Sequence, residues 1–232
     1  MLAELIVNGL YVIPLGSVNT FLLESPDGCA LIDTGVPNSA GTILKAITEL
    51  GKKASDVKHI ILTHAHPDHI GSFAALKQVT GAKVYIHQLD AGIATSGKGF
   101  RPIFASPGLL NGFMFRKFIN PSSSIEVESA SIDRLVIDGE TLPIADGLKA
   151  IHIPGHSAGQ LAFFWAKHGG VMFVADACKN LMGLSWSLGY EDFEEGKRSL
   201  KKLAQLEFQV ACFGHGKSIS RQASNQFRKK WG

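Results

Sequence analysis

The run Thr63-His64-Ala65-His66-Pro67-Asp68-His69 restricts what this chain can become more than any other stretch. Three imidazoles and a carboxylate fall within six residues. The apolar run His59-Ile60-Ile61-Leu62 before them has the make-up of a buried strand, and a helix over about 68–79, stopped near Gly81, follows them. Chelating groups crowded at the end of a buried strand are costly unless something satisfies them. Imidazole and carboxylate are the donors that suit Zn²⁺ and other first-row divalent metals. In an extended chain His64 and His66 point to the same side and both reach one ion. Asp68 and His69 come as the chain turns into the helix, so they are aimed differently and can serve a second. Any one of these residues alone reads as surface or satisfied core; four together read as ligands.

Three later residues share one local context, an apolar strand followed by a turn. Ile151-His152-Ile153-Pro154-Gly155-His156 sets His156 just past a strand end. Val171-Met172-Phe173-Val174-Ala175-Asp176 does the same for Asp176, and Val210-Ala211-Cys212-Phe213-Gly214-His215 for His215. Sites in open α/β architectures collect outside the carboxyl ends of strands. Together the three supply the ligands that two ions still need, including a carboxylate able to bridge them. His59, His87, His152 and His168 lie within or beside strands without such company and read as structural or surface residues.

The rest of the chain provides strands and helices in both halves. Residues 5–15, 18–24 and 29–32 have strand composition, and Asn38 is placed to cap a helix running to Leu50. After a strand over 83–86, further strands are expected at 134–138, 148–153, 161–165, 171–175 and 210–213, with helices over 191–206 and at the C-terminus. Between the halves, residues 96–131 combine Gly, Pro and Phe without regular periodicity. They include Phe118 and Pro121, and a segment this apolar has to pack on something. A chain of 232 residues suits one large domain, here spanning 1–232 with the 96–131 segment as an insertion.

The His64-Ala65-His66-Pro67-Asp68-His69 run resembles the HxHxDH signature of the metallo-β-lactamase superfamily, with His156, Asp176 and His215 at its downstream motifs. Asp33-Thr34-Gly35 also matches, so the resemblance runs from about Val12 to His215. It implies an α/β fold, the four-layer αβ/βα sandwich, with metals at one edge of the inner sheets. It implies two divalent ions, zinc first, with iron or manganese as alternatives. His64, His66 and His156 would hold one, Asp68, His69 and His215 the other, with Asp176 between. Asp68 and Asp176 are then the residues expected to act in catalysis, and Asp33 an acceptor orienting a ligand histidine or its loop. A turn Asp bonding its own backbone is the plainer reading of Asp33.

The expected reaction is hydrolysis by a hydroxide shared between two ions, cleaving a carboxylic ester, lactone or thioester. Gly155-His156-Ser157-Ala158-Gly159 matches Gly-x-Ser-x-Gly, but its second residue is the candidate ligand His156, and the metal-ligand pattern rather than an acyl-enzyme serine sets the expected reaction. The alternatives are a phosphodiesterase or β-lactamase of the same superfamily and, from another class, a metal-carrying binding or regulatory module without turnover. Di-iron relatives carry Glu where His66 stands. Glyoxalase II adds a C-terminal helical domain, whereas 17 residues follow His215. β-Lactamases do not usually use a bridging Asp and are generally exported, while residues 1–10 read as no signal peptide. RNA-processing relatives carry a long exosite arm and more basic surface. The lactonase tyrosine is replaced here by Cys178, Lys179 and Asn180.

A net charge of +3 without a basic stripe excludes a nucleic-acid partner, and no apolar run spans a bilayer. Three scattered cysteines fit a reducing compartment, so the expectation is a cytoplasmic enzyme acting on a small molecule. Phe100, Phe104, Phe113, Met114 and Phe115 of the insertion are expected to line an apolar substrate pocket, or else to form a homodimer contact.

Overall fold

The computed structural model describes residues 2–119 and 126–232. Residues 120–125 of the insertion, Pro121 among them, and the side chain of Phe118 lie outside the described residues. Strands β1 (Glu4–Val7), β2 (Leu10–Leu15), β3 (Val18–Ser25) and β4 (Gly28–Ile32) form a meander. Helix α1 (Ala40–Glu49) leads from it to β5 (Val57–Ile61). Then come α2 (Pro67–Ile70), α3 (Phe73–Thr80), β6 (Lys83–His87) and α4 (Gln88–Ser96). The insertion contributes β7 (Phe104–Ala105) and α5 (Leu109–Phe118), and β8 (Arg134–Val136) closes the first half.

The second half holds β9 (Thr141–Leu142), β10 (Leu148–His152), β11 (Leu161–Trp165) and β12 (Val171–Ala175). Short strands β13 (Cys178–Asn180), β14 (Leu184–Trp186) and β15 (Gly189–Tyr190) follow. Helix α6 (Phe193–Ala204), β16 (Val210–Phe213) and α7 (Ala223–Trp231) complete the chain. Among the described residues no helix is long and apolar enough to cross a membrane.

Twelve of the sixteen described strands assemble as one seven-stranded sheet, β1-β2-β3-β4-β5-β6-β8, and one five-stranded sheet, β16-β12-β11-β10-β9, while β13 pairs with β14 and β7 with β15. Their facing sides share one core, with Leu23, Ala30, Ile32 and Ile61 of the first against Ala150, Phe163, Phe173 and Cys212 of the second. Alternation along each strand sends the other residues outward. Leu22, Leu31, Ile60 and Val84 meet Ile43 and Ile47 of α1 and Phe73 and Leu76 of α3. Met172, Val174, Ala211 and Phe213 meet Leu200 and Leu203 of α6 and Phe227 of α7. The layering is therefore helix–sheet–sheet–helix, the αβ/βα sandwich.

Several local expectations differ from the structure. Residues 5–15 are not one strand: Val7 pairs with Leu10 across the two-residue turn Asn8-Gly9, with Gly9 at φ 80°. Asn-Gly is the strongest short hairpin signal, and it decides here. Asn38 does not cap α1; it sits at φ 70°, and Ser39 holds the N-cap position, its backbone N–H donating to Ser72 Oγ. The helix expected over 68–79 is broken between α2 and α3 at Gly71-Ser72. The insertion is not free of regular structure, since it contains α5 and β7, and β7 pairs with β15.

Glycine at position 71, beside this break, is a packing requirement. Its backbone angles are ordinary (φ −59°), but its N–H donates to Gly35 O, and a Cβ would collide with the backbone of Val36, Pro37 and Pro67. Gly71→Ala is expected to destabilise the fold by about 1–3 kcal/mol, the usual cost of overpacking. Urea unfolding checks this; a midpoint equal to that of the parent protein would contradict it.

Candidate metal centre

Strand direction collects the polar groups at one edge. β4 and β5 are parallel neighbours, and their C-terminal ends deliver Asp33, Thr63 and His64. β10 and β12 are each antiparallel to β11, and β12 is parallel to β16, so these three run the same way and deliver His156, Asp176 and His215. The two sheets are stitched together at this edge. Leu161 N–H donates to Thr63 O (2.8 Å), and Asn19 Nδ2 donates to Phe213 O (3.0 Å) and Gly216 O (2.8 Å).

All seven residues expected as ligands converge there. In one half His66 Nδ1 lies 3.0 Å from His64 Nε2 and 2.9 Å from His156 Nε2. In the other half His215 Nε2 lies 3.3 Å from Asp68 Oδ2, and His69 Nε2 lies 3.8 Å from the same oxygen. Asp176 stands between the halves. Its Oδ2 is 3.0 Å from His215 Nε2 and 3.6 Å from His156 Nε2, and its Oδ1 is 3.4 Å from His69 Nε2. Gly214 is required beside it, because a side chain there would strike Asp176 Oδ1 and His69.

Each ring except His66 is oriented through the nitrogen that faces away from the cluster. His156 Nδ1–H donates to Gly189 O (2.7 Å), and His215 Nδ1–H donates to Ser17 O (2.6 Å). His69 Nδ1–H donates to Asp33 Oδ2 (2.8 Å). His64 Nδ1–H donates to Thr63 Oγ1 (3.0 Å), whose own hydroxyl donates to Asp33 Oδ2 (2.8 Å). In a neutral ring such a bond leaves the inward nitrogen as a lone pair, the form in which histidine ligates metals. His66 turns Nδ1 inward and leaves its buried Nε2 without a hydrogen-bond partner.

The cluster fits divalent cations. Converging lone pairs about 3 Å apart repel one another unless a positive charge lies between them, and nitrogens around one zinc stand at about that separation. His69 Nε2 and Asp176 Oδ1 are buried 3.4 Å apart, and neither has a hydrogen-bond partner of good geometry among the described residues. Two compact ligand groups result, His64/His66/His156 and Asp68/His69/His215, with Asp176 also within reach of His64 and His69.

The halves differ electrically. Burial, reinforced by the neighbouring histidines, holds His64 well below its ordinary pKa and brings His156 down to about 4. Burial also lowers His66, against the opposing pull of Asp68. Burial opposes charge on His69 and His215 as well, but Asp176 and Asp68 outweigh it. His69 lies well above the ordinary value, with Asp33 contributing, and His215 is raised to about 10. Burial pushes Asp68 and Asp176 upward, yet the same two histidines hold both carboxyls below their ordinary range.

The expected aromatic wall is divided. Phe100 is half-buried and packs against the cluster on the helix-covered face of the first sheet, to which Ala65 also belongs. Phe115 is buried against Gly189, the residue whose carbonyl orients His156. Phe104 and Phe113 are 65% and 57% exposed, and Met114 is half-buried. His59 bonds Tyr85, His168 bonds Asn8 O, and His87 and His152 stack on each other. Sequence reading missed Thr63, Asp90, Arg101 and Glu191, which hold the ligand loops. For the first, its position beside His64 was the available signal.

Residues 13–215 match the family model described as the metallo-beta-lactamase superfamily. YobT, an uncharacterized protein of Bacillus subtilis (strain 168), is 29% identical over 224 residues, covering 91% of this chain and 88% of its own. YflN of the same organism, a probable metallo-hydrolase, is 28% identical over 226 residues, covering 90% and 84%. Among solved structures, the beta-lactamase from Chitinophaga pinensis superposes with a TM-score of 0.74 at 23% identity, over 99% of this chain and 89% of that one.

The protonation states set a test of the two halves. In the metal-free protein at pH 7, His69 and His215 carry protons, whereas His64, His66 and His156 do not. Zinc entering the Asp68/His69/His215 group is expected to displace about two protons, and zinc entering the three-histidine group none. Affinity of the first group should therefore rise with pH between 6 and 8, more steeply than that of the three-histidine group. Calorimetric titration in buffers of different ionisation enthalpy measures this; heats independent of buffer for both ions would contradict it.

Proposed function

Because the chain belongs to the metallo-beta-lactamase superfamily, we propose that it is a two-metal hydrolase that cleaves a carboxylic ester, lactone or thioester. The observation that carries this reading is the pair of ligand groups with Asp176 between them. His64, His66 and His156 would hold one ion, Asp68, His69 and His215 the other, with Asp176 bridging. A structural zinc site is normally closed and mononuclear. Here one half opens outward, with Asp68 37% and His215 23% exposed, which leaves an approach for substrate.

When bound, the metals, zinc first, supply Lewis acidity and bring the pKa of water toward the neutral range. The chain's own residues do the rest. Asp68 is the more accessible carboxylate of the cluster, placed to accept a hydrogen bond from the attacking water and so to orient it. Asp176 is buried and keeps its place between the halves, where Gly214 leaves room for its oxygen. The nearby Cys178 does not compete as nucleophile. It is fully buried, and burial followed by the charge of Asp176 holds its thiol well above its ordinary pKa.

The apolar part of the substrate falls to the insertion. Phe115 seats that segment beside the three-histidine half, and Phe104 and Phe113 hold exposed rings on it. In a fold whose site is at one edge, such a segment walls the approach from the side, as most small-molecule sites require.

Three measurements test the reading together. Protein purified without chelator is expected to hold close to two first-row metals per chain. Asp176→Asn should lower kcat by at least roughly 100-fold with the fold intact, the usual cost of disabling a group at the reacting centre. Cys178→Ala should keep most activity. Against a panel of esters, lactones, thioesters, β-lactams and phosphodiesters, kcat/KM is expected to be highest for acyl substrates and to rise with chain length. Turnover confined to phosphodiesters, or one metal per chain after incubation with zinc, would overturn it.

A further inference from the structure

Asp90, in the first turn of α4, is completely buried and is no candidate ligand, yet it holds the backbone of both loops that carry the three-histidine half. Its Oδ2 accepts from the N–H of Ala65, the residue between His64 and His66 (2.8 Å), and from Ser157 Oγ, directly after His156 (2.8 Å). Its Oδ1 accepts from Gly159 N–H (3.1 Å), where a Cβ would strike the carboxylate. The fourth donor is Arg101 Nη2, which comes from the insertion.

Arg101 spends every arm of its guanidinium on this edge. Nη2 also donates to Ser157 Oγ (2.9 Å), Nη1 donates to Leu89 O (3.0 Å), and Nε donates to both oxygens of Glu191 (2.8 and 2.9 Å). Glu191 in turn accepts from Ala158 N–H (2.9 Å). The other half is held by different groups: His69 by Asp33, and His215 by Ser17 O. The network thus touches one half of the centre and the inserted segment, and leaves the second half alone.

We propose that Arg101 is a positioning residue that couples the insertion to the His64/His66/His156 half, so that ion occupancy there and seating of the segment stabilise each other. The inference rests on the two-metal reading above. The physical ground is twofold. A buried carboxylate that loses its only cationic partner relaxes its other donors, and these are the backbone groups that fix the ligand loops. Coupling between two sites is reciprocal, so a segment that tightens an ion site is itself tightened by the ion.

The test measures each half separately. His215→Ala leaves the three-histidine half intact, and His156→Ala leaves the other. Zinc affinity is read by competition with a chromophoric chelator, before and after adding Arg101→Ala. Loss of a partner behind the ligands typically weakens metal affinity by about 10- to 100-fold. That loss is expected in the His215→Ala protein, with no change in the His156→Ala protein, and Arg101→Lys should restore part of it. Chymotryptic cleavage at Phe104 and Phe113 gives the reciprocal readout. Zinc should slow it in the parent protein and have no effect in Arg101→Ala. Near-ultraviolet circular dichroism of metal-free Arg101→Ala should match that of the parent. Equal weakening in both backgrounds, unchanged affinity in both, or cleavage in the parent indifferent to zinc would overturn the proposal. Parent variants that bind no zinc would overturn the two-metal reading, and this inference with it.

Discussion

The carboxylate of Asp33 is the contact on which the site depends. It is buried at the end of β4, at φ 61°, a backbone region that L-residues seldom adopt. It accepts the N–H and hydroxyl of Thr63 and the Nδ1–H of His69. Through the Thr63 hydroxyl it also reaches His64. One ring in each half is therefore aimed by a single group. Hydrogen bonds to a charged acceptor contribute about 1.5–3 kcal/mol each, enough to offset the burial of a carboxylate and a strained backbone. The sandwich makes this possible because β4 and β5 are parallel neighbours, so Asp33 and Thr63 emerge side by side.

From that anchor the two halves diverge in character. The three-histidine half is buried among rings that stay neutral, held from behind by Gly189 O and by Asp90 with Arg101. The Asp68/His69/His215 half faces solvent and carries two carboxylates, whose charge is balanced by protons on the two histidines when no cation is present. Unit charges 3–4 Å apart near a protein surface attract by about 4–5 kcal/mol, so leaving the carboxylates unbalanced would outweigh any single hydrogen bond in the cluster. The two groups thus differ in charge, and the Asp68/His69/His215 group has two partly exposed members where the three-histidine group has one.

The candidate ligand cluster was legible in the sequence because it is local chemistry. His64, His66, Asp68 and His69 stand within one turn of chain, and His156, Asp176 and His215 each follow an apolar strand. The central strands were legible for the same reason, since residues 161–165, 171–175 and 210–213 are continuous apolar runs buried on both faces. Legibility failed where a residue's state depends on a distant neighbour. Nothing near Gly71 in sequence announces that the backbone of Val36 and Pro37 passes against it. Nothing in the Phe-rich insertion tells Phe100, which joins the core, from Phe104, which stays exposed.

By itself, then, the sequence determined the donor types, their attachment to strand ends and the class of fold that gathers strand ends at one edge. Only the tertiary structure decided how the donors divide, what aims them and what backs them. Asp90 meets Ala65, Ser157 and Gly159 across separations of 25, 67 and 69 residues, and Arg101 meets Glu191 across 90. An acidic residue in a helix's first turn and an arginine in an irregular segment carry no local mark of such roles. Their meaning lies in which loops the two sheets bring within 3 Å of them, and that is set by packing the sheets face to face rather than by any stretch of chain.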